Sequence, residues 1–169
     1  AVISPHAGHI YSGPVAGYSF AAVRGMTPEI VAVISPMHQP SMQSLLTSAH
    51  AAYATPLGEI PLDQDALSRL DGALDAHHQE HLTPVAYDRE HSLEIVLPFL
   101  QRALGAPFKL LPIMVRSQSP GTIEALGIAM EIAHISKLNI VVEVHITLKQ
   151  YLDGSSPPVF QLTDIIVVA

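Results

Sequence analysis

Residues 29–41 read EIVAVISPMHQPS, and the way their first seven residues pack decides the fold. Ile30 to Ile34 are apolar without a break, so the run keeps no face for solvent. A short, largely β-branched run stopped by Ser-Pro reads as a strand covered on both sides, the usual state inside a parallel sheet. The chain opens on a second run of this kind, AVIS (1–4), also stopped by proline. Between the two lie a loop punctuated by Gly and Pro and then PVAGYSFAAV (14–23), which reads as a short helix with Pro14 at its first position. Strand, helix and strand in sequence make a right-handed βαβ unit.

Downstream, SLLTS (44–48) is strand-like, as is ATPLGEIPL (54–62) around a Pro-Leu-Gly turn. DQDALSRLDGAL (63–74) is amphipathic, with Asp63 placed to cap it. The polar, His-rich stretch 75–89 reads as a loop with some helix. REHSLEIVLPFLQRALG (89–105) sets residues 93, 96, 97, 100 and 104 on one helical face and ends at Gly105, while Pro98 predicts a kink or a restart. A strand at 108–115, a helix at 119–133 and a strand at 137–144 complete the alternation. The fold expected is α/β with a mostly parallel central sheet.

At 169 residues the chain fits one domain with a substantial core. No cysteine is present, which excludes disulfides and thiolate chemistry, and no apolar run reaches membrane-spanning length. No Lys/Arg-led leader precedes the first strand, so the expectation is a cytoplasmic protein with no membrane partner. A net charge of -7 with eight Lys and Arg argues against nucleic acid as a partner. The ten histidines are the compositional oddity.

His6 and His38 each follow a Ser-Pro at the end of a strand, so adjacent parallel strands would deliver both to one crevice beyond the carboxyl ends of the sheet. Two imidazoles so placed can ligate a metal; they can equally be loop histidines bonded to backbone. Glu90, His91 and Glu94 of EHSLE (90–94) read as the start of a helix. A histidine beside carboxylates can work as acid or base, and acids in a first turn also simply complement the helix dipole. AHHQEH (76–81) places His77 and His81 four apart with Glu80, in a polar segment that reads as solvated surface. His50 and His134 are isolated, and Ser12, Ser35 and Ser92 lack a nucleophile-elbow setting.

Taken together, SPHAGHIYSGPVAGYSF, VAVISPMHQ, YATPLGEIPLD and REHSLEIVLPFLQ resemble the Memo-like family, whose bacterial and archaeal members are often called AmmeMemoRadiSam system protein B. The resemblance covers about residues 1–133, so these form a partial Memo-like domain and 134–169 a divergent or aberrant tail. It begins at the first motif, without the family's usual N-terminal segment. It implies a three-layer α/β/α fold like that of the class III extradiol ring-cleaving dioxygenases. It further implies that His6 and His38 are metal ligands and that His91 lies near them.

Iron or copper binding, redox roles and phosphopeptide binding are all associated with this family. The reading that follows is a metal-dependent, dioxygenase-type oxidoreductase, with Fe(II) as first choice and copper or zinc as others. The third ligand would come from Glu90, His91 or His145, and another of these would act as acid–base. KLNIVVEVHITLKQ (137–150) lacks the family's SSDxSH-like motif, and His145 sits at a roughly comparable strand end, a match one residue deep. The alternative is a non-catalytic module whose crevice takes a peptide or small anion. The partner in either case is a small-molecule or peptide ligand.

Overall fold

The computed structural model describes residues 2–87, 89–134 and, as backbone, 139–143. Among the described residues, eight strands form two sheets: β1 (Val2–Ser4), β2 (Ile30–Pro36), β3 (Leu45–Ser48), β6 (Leu82–Val85), β7 (Lys109–Val115) and β8 (Asn139–Glu143) build the first, and β4 (Ala52–Thr55) with β5 (Gly58–Pro61) a hairpin. The helices are α1 (His9–Ala21), α2 (Gln64–His78), α3 (Leu97–Ala103) and α4 (Pro120–Ile132), with a 3-10 turn at Glu94–Val96 before α3.

The order across the main sheet is β1-β8-β2-β7-β3-β6. All neighbours are parallel except β3 and β7, which run antiparallel. The expected α/β architecture is therefore present as a mixed, mostly parallel sheet. One expectation is corrected: β1 and β2 are not neighbours, because β8 is inserted between them and pairs with both.

The unbroken apolar runs are explained by cover on both faces. Val31 and Val33 of β2 and Leu110 and Met114 of β7 pack with Phe20 of α1 and Leu97 and Leu100 of α3. Ala32, Ile34, Leu111 and Ile113 face the other way, onto Leu70 and Leu74 of α2 and Leu126 and Met130 of α4. Pro112 is tolerated inside a central strand because its own nitrogen and carbonyl point to the β3 side, where the Thr47 hydroxyl donates to Pro112 O at 2.7 Å. No ladder bond is required of the missing N–H there.

Local signals set most of the helix boundaries. The Asp63 carboxylate accepts from Ala66 N at 2.9 Å and caps α2, as its position in the sequence predicts. Ser119 does the same for α4 through Thr122 N at 3.2 Å, with Pro120 as first helical residue. Three expectations shift. α1 starts at His9, so Pro14 lies inside it, and α2 runs on to His78 before Gln79 closes it in the left-handed conformation. Residues 82–85, read as loop, form β6. Pro98 gives the restart its position predicts: α3 begins at Leu97 after the 3-10 turn, and Pro98 sits in its first turn, where its missing N–H is not needed.

Candidate functional site

The carboxyl ends of β1 and β2 flank that of β8, so at ordinary strand spacing they stand about 10 Å apart. His6 and His38, each two residues past its strand, close that gap with their side chains. The two Nε2 atoms lie 3.4 Å apart and the ring centroids 5.2 Å apart. His6 is buried, whereas the His38 side chain keeps 32% of its exposure. The histidines thus meet, though across an intervening strand rather than from adjacent ones.

The third element is the turn that carries EHSLE. It is not the first turn of a helix: the 3-10 turn begins only at Glu94, which faces solvent, and Glu90 lies before it with a side chain 1% exposed. Each residue of the turn has a separate contact. Ser92 donates from Oγ to Pro36 O at 2.7 Å, hooking the turn onto the end of β2, and Leu93 enters the core. Glu90 is thereby brought against His38, with its Oε1 2.8 Å from Nδ1 of His38. That oxygen also accepts from His91 N and Ser92 N, both at 2.9 Å, and Oε2 accepts from His38 N.

Burial raises the pKa of a carboxyl, but at Glu90 the hydrogen bonds from the His38 ring, Ser92 and the His38 backbone outweigh it and lower the value to about 2. An ionised carboxylate accepts only, so His38 must present Nδ1–H to it. The lone pair of neutral His38 then sits on Nε2, which faces His6. This is the carboxylate–histidine arrangement that fixes tautomer and ring orientation in metal sites. His91 stacks on His38 with centroids 5.1 Å apart and planes at 19°, and its side chain is 52% exposed at the mouth of the crevice.

Two donor sets overlap here. Ligand atoms of His38, Glu90 and His91 lie within 4.8 Å of one another, a spacing that admits a metal ion. The facing Nε2 atoms of His6 and His38 form the other set. His145 lies outside the described residues. His77 is on α2, and His81 sits beyond it near Asp71 and Asp75, at 3.7 and 3.4 Å, more than half exposed. Sequence reasoning missed two supporting residues: Ser92, and His9, whose Nε2 lies 2.8 Å from Ile95 O and ties α1 to the 3-10 turn. A cleft of about 740 Å³ opens at the opposite end of β2 and β7, around Ile30 and Lys109, and contains no histidine.

A mostly parallel α/β sheet with a histidine–carboxylate cluster beyond its carboxyl ends defines the class. Within that class, the chain belongs to the Memo-like family: the family model for Memo-like protein matches residues 1–146. It is 38% identical over 138 residues to a MEMO1 family protein of Nitrosopumilus maritimus, covering 80% of this chain and 48% of that one. A MEMO1 family protein of Thermotoga neapolitana is 33% identical over 153 residues, 90% of this chain and 54% of its own. One from Ignicoccus hospitalis is 37% identical over 124 residues, 72% and 42% respectively. The chain spans about half the length of these curated relatives. Among the described residues, no helix is long and apolar enough to cross a membrane.

Proposed function

We propose that the crevice holds a divalent metal between Nε2 of His6 and Nε2 of His38, and that the protein is a metal-dependent oxidoreductase of the dioxygenase type acting in the cytoplasm. The observation that carries this reading is the 3.4 Å separation of the two nitrogens, with Glu90 holding the proton on the far side of His38. Two imidazoles bound at about 2.0–2.1 Å to one tetrahedral ion stand about 3.3–3.4 Å apart, so the donors fit an ion without moving. Nitrogen donors of this kind suit iron, copper and zinc, and Fe(II) is the choice that serves oxygen chemistry. When bound, such an ion supplies a Lewis acid with open positions for substrate and oxygen.

The residues of the chain have distinct parts in this reading. His6 and His38 bind; Glu90 orients His38 from behind and is a positioning residue, since its carboxylate accepts from the His38 ring and from the backbone N–H of His38, His91 and Ser92. His91, half-exposed and stacked on His38, is placed to take or give a proton at the ring to a ligand in the crevice. Elemental analysis of purified protein is the test. Metal content near one equivalent is expected in the parent and loss of most of it in His6→Ala and in His38→Ala, with far-ultraviolet circular dichroism unchanged. Full metal content in both variants would overturn the assignment. A metal-stripped protein that still binds a peptide would favour the binding module instead.

A further inference from the structure

The cleft of about 740 Å³ lies at the amino-terminal ends of β2 and β7, away from the histidines, and has the size that holds a small organic molecule. Its walls are the β4–β5 hairpin, the end of α3 with the loop that follows, and the cap of α2. Hydrogen bonds tie these walls together. Gln101 of α3 accepts from Thr55 Oγ1 at 2.6 Å and donates from Nε2 to Gly58 O at 3.2 Å, which fixes the hairpin to α3. Gly25 N donates to Ala103 O and Gly105 N to Met26 O, both at 2.8 Å, which fixes the loop after α3. Asp63 N donates to Leu110 O at 2.9 Å and Lys109 N to Glu29 O at 2.8 Å, which closes the base. The cavity is therefore preformed, and a ligand need not order it.

The lining has two chemistries. Ile60 and Phe108, 2% and 7% exposed, give an apolar floor that Leu57 and Leu104 extend. The charged groups are Glu29, Glu59 and Asp63 against Lys109, three acids to one base, a net charge of -2. Asp63 is the unusual member. Its side chain is 8% exposed, and Oδ1 accepts from the N–H of Ala66. Oδ2 has Lys109 Nζ at 3.5 Å, beyond the about 2.7–2.9 Å of a charge-assisted hydrogen bond, and the Lys109 side chain is 57% exposed. The lysine balances the buried carboxylate without a short bond to it, so a cation entering the cleft can replace it. We propose that this cleft binds a small organic cation, an ammonium group carried on an apolar ring or chain. The carboxylates take the ammonium, with Asp63 as the buried anchor, and the floor of Ile60 and Phe108 takes the apolar body. The net charge repels an anion, and an uncharged molecule leaves Oδ2 of Asp63 no better paired than before.

The chain contains no tryptophan, so indole fluorescence reports a ligand alone. Tryptamine, its uncharged analogue tryptophol and the anion indole-3-propionate are each dialysed to equilibrium against the full chain. Saturable binding of tryptamine is expected with a Kd of about 1 mM or tighter, with tryptophol at least about tenfold weaker and no uptake of indole-3-propionate. Asp63→Asn, which keeps an acceptor for Ala66 N, should weaken tryptamine at least about tenfold with far-ultraviolet circular dichroism unchanged. Lys109→Met removes the competing cation and should tighten binding about threefold, an effect that loss of shape cannot imitate. Equal binding of tryptamine and tryptophol would overturn the proposal. So would the lack of saturable binding, parental affinity in Asp63→Asn, or weaker binding in Lys109→Met. If Asp63→Asn does not fold, Glu59→Gln on the exposed hairpin replaces it, with binding at least about threefold weaker expected and parental affinity overturning the proposal.

Discussion

Replacing Glu90 by Gln keeps the shape of the side chain and removes its charge. The magnitude follows from the environment. A carboxyl held at about 2 instead of 4.5 contributes about 3 kcal/mol to the folded state at neutral pH. The sign is that of a depressed acid: as pH falls past 4.5 the unfolded chain takes up a proton that the native chain refuses until about 2. The contribution is therefore intact above about pH 4.5 and gone by about pH 2. In Glu90→Gln it is absent throughout, and the new amide N–H₂ meets one of the N–H groups that the carboxylate accepted from. For a domain of this size, Tm at pH 7 should drop by about 6–12 °C. Circular dichroism melts at pH 7, 5, 4 and 3 should show the gap between variant and parent narrowing with acid. A variant that melts within 2 °C of the parent at pH 7, or a gap that stays constant to pH 3, would refute the reasoning. Metal affinity should fall about 10- to 100-fold in the same variant, because the tautomer of His38 is no longer enforced.

Other substitutions test the scaffold. Asp63→Ala removes the α2 cap and should cost about 1 kcal/mol by urea unfolding, while Asp63→Asn, which keeps an acceptor, should cost much less. Thr47→Val removes the hydroxyl bonded to Pro112 O and should cost about 1–3 kcal/mol in the same assay, with no change in metal content. Gly105→Ala would set a Cβ 3.0 Å from the backbone oxygen of Gly25, so it should destabilise by about 1–3 kcal/mol in thermal melts despite being a change to a better helix former.

The strands that were legible in the sequence are those covered on both faces, because burial leaves an unbroken apolar run that no loop or amphipathic helix imitates. β2 and β7 are the examples. β6 escaped because LTPV (82–85) is short, interrupted by proline and adjoins the polar segment that ends α2. The order of strands carries no local signal at all. Nothing within residues 1–36 indicates that β8, more than a hundred residues later, will separate β1 from β2. The opening histidines could be placed at strand ends, since Ser-Pro marks where each strand stops. The partnership of Glu90 with His38 spans 52 residues and depends on the Ser92 hook. In sequence the same glutamate looks like an ordinary acid at a helix start.

The insertion of β8 bears on how the molecule is made. β1 emerges from the ribosome well before its only strand partner among the described residues, β8, whose last residue is Glu143. At synthesis rates of about 5–20 residues per second, β1 waits on the order of ten seconds for that partner. Contacts closed over so long a loop are also the slow ones in folding. β2, β7, β3 and the helices that cover them can assemble meanwhile, leaving a slot beside β2. His6 and His38 are brought face to face only when that slot is filled, so the histidine pair forms late in the assembly of the described sheet.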